Sequence, residues 1–120
     1  MAEIKGKKYG KTLFYIDGNE IKDKKYGTTL FYIDGSEVKE KSKYGSVKFY
    51  INGNEIKEKS RYGNVKYFIN GNEVKEKSKY GSLRYYIDGS EIKDKNYGNV
   101  KYYIDGSLTK NQLYGFLSII

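Results

Sequence analysis

Six Asp-Gly or Asn-Gly dipeptides, ending at Gly18, Gly35, Gly53, Gly71, Gly89 and Gly106, recur at steps of 17, 18, 18, 18 and 17 residues. A short fixed period restricts the chain to one small supersecondary unit copied along its length. Each dipeptide follows an aromatic pair and an Ile, and all but the last precede Asn/Ser-Glu-Ile/Val-Lys. Two-residue links of this kind between β-prone runs are the strongest short-range hairpin signal, because Asn, Asp and Gly tolerate positive φ. No stretch carries a sustained 3.6-residue apolar period, so no helix is expected. The reading is all-β: tandem 17–18-residue β-hairpins forming an antiparallel meander.

The copy around Asn52-Gly53 sets the expected register. A turn on those two residues puts Ile51 opposite Asn54, Tyr50 opposite Glu55, Phe49 opposite Ile56 and Lys48 opposite Lys57. Alternation then gives one apolar face carrying Val47, Phe49, Ile51 and Ile56. The other face keeps one aromatic per copy, Tyr15, Tyr32, Tyr50, Phe68, Tyr86 and Tyr103, with Glu and Lys beside it. The second connection, such as Lys59-Ser60-Arg61-Tyr62-Gly63-Asn64, gains a Ser in some copies (Ser42, Ser60, Ser78). A one-residue insertion inside a strand would flip every later side chain, so this segment is a loop. The Tyr-Gly pairs, from Tyr9-Gly10 to Tyr114-Gly115, are expected to close it, with Gly at positive φ and Tyr over the core edge.

Both ends break the pattern. Residues 1–8 are a half-repeat, six hairpin repeats fill 9–113, and 114–120 reads as an apolar capping strand, all within one domain of 120 residues. Such a strand needs burial, in its own chain or by self-association through Phe116, Leu117, Ile119 and Ile120. Three architectures fit: closure into a barrel or sandwich, a hairpin solenoid, and an open sheet. The open sheet leaves its apolar face wet, which favours the first two.

Composition narrows the chemistry. The chain has no Cys, His, Trp or Pro, which removes disulfides, thiolate and imidazole metal ligands, and Ser-His or Cys-His nucleophiles. Glu37, Glu55 and Glu73 recur identically, whereas an active site needs a unique constellation. Asp17-Gly18-Asn19-Glu20 lacks the alternating oxygens of a calcium loop. The reading is therefore non-enzymatic, with no catalytic residue, metal or cofactor. Net charge is +8, from 23 basic and 15 acidic residues, interleaved along the chain as a diffuse field.

The candidate site is the Tyr/Lys/Glu face. Its aromatics could stack on sugar rings, aided by Glu55 and Glu73. The expected register also sets Lys48 against Lys57 and Lys66 against Lys75, an unfavourable like-charge ladder that an anionic partner would relieve. The competing reading is cross-strand pairing on a solvated face. Nucleic acid is disfavoured because Glu interrupts the Lys positions. No apolar run is long enough to insert in a bilayer, and Met-Ala-Glu-Ile-Lys lacks a secretory apolar stretch.

Tyr85-Tyr86-Ile87-Asp88-Gly89-Ser90-Glu91-Ile92 resembles the aromatic hairpin of choline- and glucan-binding cell-wall repeats and of related toxin repeats. Lys79-Tyr80-Gly81, with the Tyr-Ile-Asp-Gly that follows, is also similar to bacterial tryptophan-glycine repeats. That resemblance implies a bacterial repeat module for adhesion or carbohydrate binding. The sequence expectation is thus multivalent recognition of a glycan or protein, in a cytoplasmic protein or a segment of a surface protein. A structural or self-assembling scaffold, natural or engineered, is the first alternative. Binding of an anionic polymer is the second.

Overall fold

Each full copy folds into a strand of about six residues, a tight turn and a shorter return strand. A computed structural model describes residues 1–120. In chain order the strands are β1 (Ala2–Lys5), β2 (Thr12–Asp17), β3 (Glu20–Lys22), β4 (Thr29–Asp34), β5 (Glu37–Glu40) and β6 (Val47–Asn52). They continue as β7 (Glu55–Glu58), β8 (Val65–Asn70), β9 (Glu73–Glu76), β10 (Leu83–Asp88), β11 (Glu91–Lys93) and β12 (Val100–Gly106), followed by helix α1 (Lys110–Ser118). Neighbouring strands pair antiparallel, and β1 pairs with β12 to close the meander into a barrel. Closure is the rolled form of the expected fold; the solenoid and the open sheet are not adopted. The Cα extents, 39 × 37 × 17 Å, describe a squat ring.

The hairpin turn lies one residue along from the expected one, which shifts the strand pairing by two residues. Asn52 pairs with Glu55, Ile51 with Ile56 and Tyr50 with Lys57, so the turn residues are Gly53 and Asn54. Positive φ occurs at Gly53 (60°) and not at Asn54, the signature of a type II′ turn with Gly first. The shift sets two apolar residues opposite each other, where the expected register set Ile51 against Asn54. Because the register moved by a whole pleat, the assignment of inner and outer residues survives between each turn and its bulge; beyond the bulge Val47, expected on the apolar face, pairs with Lys39 on the side of Tyr32. Ile16, Ile21, Ile33, Val38, Ile56 and Val74 are essentially inaccessible, with Tyr67 and Tyr85 buried beside them.

The half-repeat at the start completes the ring. Ile4 pairs with Ile104 and Glu3 with Asp105, the same register as Ile56 with Ile51 and Glu55 with Asn52. The sixth hairpin is therefore divided between the two ends of the chain. Asp105-Gly106, expected to be a sixth turn, belongs to strand β12. No Glu-Ile-Lys follows it in sequence, and β1 supplies that strand instead.

The expected capping strand over 114–120 is a helix, and this corrects both that element and the expectation of no helix. Thr109 is the N-cap: its hydroxyl accepts from Gln112 N (3.1 Å), and Gln112 Oε1 accepts from Thr109 N (2.9 Å). This reciprocal capping box satisfies two donors at the helix start. Gln112 Nε2 and Asn111 Nδ2 donate to Gly18 O and Gly35 O, two hairpin turns of the barrel. The helix enters the lumen there. Phe116 and Leu117 are fully buried, with the Phe116 ring 5.5 Å from both Phe14 and Tyr102 in edge contacts. Gly115 lies so close to β4 that an added Cβ would stand 2.5 Å from Ile33 Cδ1.

Every repeat also carries a β-bulge where the long strand leaves its loop, at Leu13, Leu30, Lys48, Lys66, Arg84 and Lys101. Bulges sharpen the twist and suit the rim of a barrel. At β8 the bulge brings Lys66 to the end of the helix, where Nζ donates to Ser118 O at 2.7 Å.

Two glycines per repeat answer to different constraints. At Gly53 a Cβ would meet nothing within 4 Å, so only its positive φ matters. At Gly63 a Cβ would fall on the Glu58 carbonyl oxygen. Gly53→Ala should cost about 1–2 kcal/mol from the left-handed backbone alone. Gly63→Ala should cost more, because a strand carbonyl cannot move aside. Urea denaturation of the two variants checks the order; equal losses would count against the close approach.

Candidate functional site: the rim of Tyr-Gly loops

The expected site aromatics encircle the outer wall as a belt. Tyr15 is buried at 6% exposure, its hydroxyl 2.9 Å from Met1 Sδ. Tyr32, Tyr50, Phe68, Tyr86 and Tyr103 are half-buried. Each stands between a Glu on one neighbouring strand and a Lys on the other: Tyr50 between Glu37 and Lys57, Phe68 between Glu55 and Lys75, Tyr86 between Glu73 and Lys93.

The charges of this belt are satisfied within it. Lys39 reaches Asp34 at 2.9 Å, Lys93 reaches Asp88 at 3.0 Å and Lys5 reaches Asp105 at 3.1 Å. Those carboxylate hydrogen bonds raise all three lysine pKa values. Where the turn has Asn in place of Asp, Lys57 and Lys75 stand near Glu55 and Glu73 and donate to Arg61 O and Lys79 O in the following loops.

The like-charge ladder does not exist. Lys57 pairs with Tyr50 and Lys75 with Phe68. Lys48 instead forms an ion pair with Glu40 at 3.0 Å, and Lys66 turns toward the helix end. Moving the turn by one residue removed both Lys-Lys oppositions, and with them the reason to place an anion on this face.

Lys66 belongs to a second group, at the barrel mouth. Its ammonium lies 4.7 Å from the Phe49 ring centre and 5.1 Å from that of Tyr67, while Tyr67 Oη donates to Ile120 O at 2.7 Å. Burial lowers the Lys66 pKa, against a raising influence from Glu58. Burial also raises Tyr67 and Tyr102. Cations at a helix C-terminus complement its exposed carbonyls, so this cluster locks the helix in place.

The most exposed aromatics are those that the sequence reading set over the core edge. Tyr9, Tyr26, Tyr44, Tyr62, Tyr80 and Tyr97 are 86–93% exposed. All six stand on the long loops at the end of the barrel opposite the hairpin turns. The seventh pair, Tyr114-Gly115, lies in α1. In five loops the preceding cation lies over the ring, from Lys79 on Tyr80 at 5.2 Å to Lys8 on Tyr9 at 5.7 Å.

The loops hold their shape through internal bonds. Gly45 N donates to Ser42 O, and Ser42 Oγ accepts from Tyr44 N; the same pair of bonds recurs at Ser60 and Ser78. In the shorter copies Asp23 and Asp94 Oδ1 accept from Thr28 N and Asn99 N. Positive φ, expected at the loop Gly, falls elsewhere: on Lys41, Lys59 and Lys77 in the longer loops, and on Tyr26 and Tyr97 in the shorter ones. These five are all the non-glycine residues with positive φ. Left-handed backbone at such residues costs about 1–2 kcal/mol each, and strain of this kind clusters at working sites. Two loop lengths thus reach one outcome, a free tyrosine ring, with a cation over it in every loop but that of Tyr97.

Neither a family model, nor a curated protein, nor a solved structure matches the chain.

Proposed function

We propose that the chain is a non-enzymatic ring module whose six Tyr-Gly loops act together in multivalent recognition. One observation carries this reading: six tyrosines stand almost fully exposed on rigid loops that the fold repeats around one rim. Burying a tyrosine releases its ring area from water, so leaving six of them out has a cost unless a partner covers them. Identical weak contacts on a closed ring gain strength through high effective concentration. The outer belt, with its pairings complete, serves the wall of the barrel.

The apolar C-terminal segment that favoured self-association is taken up by the ring. Closure leaves no free sheet edge, and Phe116 and Leu117 lie inside the lumen. The test is capture on glycan and protein arrays by the wild type and by a Tyr44→Ser, Tyr62→Ser, Tyr80→Ser variant, with thermal unfolding as control. Signal lost in a variant that still folds is the expected result. Signal unchanged would remove the loops from recognition.

A further inference from the structure

The sequence spreads its positive charge evenly, but the fold sorts it. Counting the six long loops, the bulge residues that follow them and the Glu40, Glu58 and Glu76 that precede three of them, the loop end holds sixteen of the 23 basic residues and five of the 15 acidic ones. That end therefore carries +11, and the rest of the molecule −3. The pairing is equally uneven. Among the lysines in ion pairs, only Lys48 belongs to the loop end; the others are the belt residues Lys5, Lys22, Lys39, Lys57, Lys75 and Lys93. Apart from Lys66, held at the helix end, the loop-end cations are exposed to solvent, and five of them lie over an exposed phenol.

We propose that this rim docks the ring flat onto an anionic lipid bilayer surface, a partner class that rests on the recognition reading above. Charge complementarity is the first argument: unpaired Lys and Arg gather on one side of a disc whose other side is net acidic. The second is the residue type. Tyrosine is enriched at the level of lipid headgroups, where an apolar ring and a polar hydroxyl are both accommodated, and lysine stems cover apolar surface while the ammonium stays in water. The third is shape. Six equivalent loops leave one end of a ring 39 × 37 Å across and 17 Å deep, so a plane meets all of them together. A linear polyanion would follow only an arc of them. Docking of this kind is peripheral, driven by surface potential and headgroup contact, and falls off within a Debye length.

The experiment is co-sedimentation of the full chain with phosphatidylcholine vesicles, with and without phosphatidylserine, at low and high salt. Parallel titrations use a single-stranded RNA homopolymer and heparin. Binding to the anionic vesicles alone, abolished by high salt, is expected. Brominated lipid should quench the tyrosine fluorescence of the bound protein. Lys43→Gln with Arg61→Gln and Lys79→Gln should weaken vesicle binding at least tenfold, and the triple Tyr→Ser variant, which keeps Tyr9, Tyr26 and Tyr97, should lose about half of the quenching. The belt variant Lys57→Gln with Lys75→Gln and Lys93→Gln, matched in charge change, should bind like the wild type. Equal loss in belt and loop variants would overturn docking through the rim. Binding to RNA or heparin without binding to vesicles overturns the bilayer proposal and leaves the recognition reading standing. Array capture that depends on the loops, with no affinity for any anionic probe, does the same. If no probe distinguishes the loop variants from wild type, both fall.

Discussion

Phe116→Ala should destabilise the barrel by about 3–5 kcal/mol, the range for removing a buried aromatic ring. The ring has no exposed surface and sits between Phe14 and Tyr102, from strands that flank β1 at the seam. Its removal therefore leaves a cavity in a lumen whose walls are held apart by strand pairing and cannot collapse inward. In a domain of this size such a loss is a large part of the whole stability. Equilibrium unfolding in urea measures it, with Gln112→Ala as a companion that removes one half of the capping box and the bond to Gly18 O but leaves the lumen packing intact. The companion should lose only about 0.5–2 kcal/mol. A Phe116→Ala loss below that of Gln112→Ala would place the helix outside the barrel.

Ile4→Asp should open the ring. Ile4 is fully buried and pairs with Ile104 on one side and Phe14 on the other, so a carboxylate there meets apolar side chains on both flanks. Burying an unpaired charge is costly enough that the segment would leave the barrel instead. Strands β2 and β12 then present free edges, each a template for another chain. Because the substituted β1 is kept out of any such seam, the free edge of β12 in one molecule can pair with the free edge of β2 in the next, and open rings link head to tail. Size-exclusion chromatography with light scattering should show oligomers growing with concentration, while wild type elutes as the closed ring. Ile4→Val keeps the apolar contact and should cost about 0.5–1.5 kcal/mol. An Ile4→Asp protein that stays monomeric and as stable as wild type would remove the seam from its role.

The repeat, the hairpins and the inner and outer faces were legible in the sequence because they rest on period-two alternation and on turn chemistry. These are local signals, copied six times. The turn position was off by one residue, since Asp/Asn-Gly and Gly-Asn/Ser are both good turn pairs and only cross-strand burial of Ile51 against Ile56 decides between them. The Lys48 and Lys66 assignments failed with it, as did strict alternation at the bulges, which leave no mark in composition. The helix did leave marks: Thr109 to Gln112 has capping-box spacing, and Leu113, Phe116, Leu117 and Ile120 follow the i, i+3, i+4, i+7 pattern. Its length of 9 residues gives that period little room, and the strand-forming copies before it suggested another strand. The loop tyrosines were misread for a different reason. Aromatic residues beside Gly look like core cover, and nothing local shows that the ring has no surface left to cover.

The helix inside the barrel also governs how many copies the gene can carry. The seam between β1 and β12 repeats the hairpin register, so it would join an assembly of five or seven units as readily as this one. Duplication or loss of a unit changes the bore, however, and the Phe116 ring, with Gly115 set against Ile33, matches one bore only. The tail acts as a gauge, turning an open-ended tandem array into a fixed count.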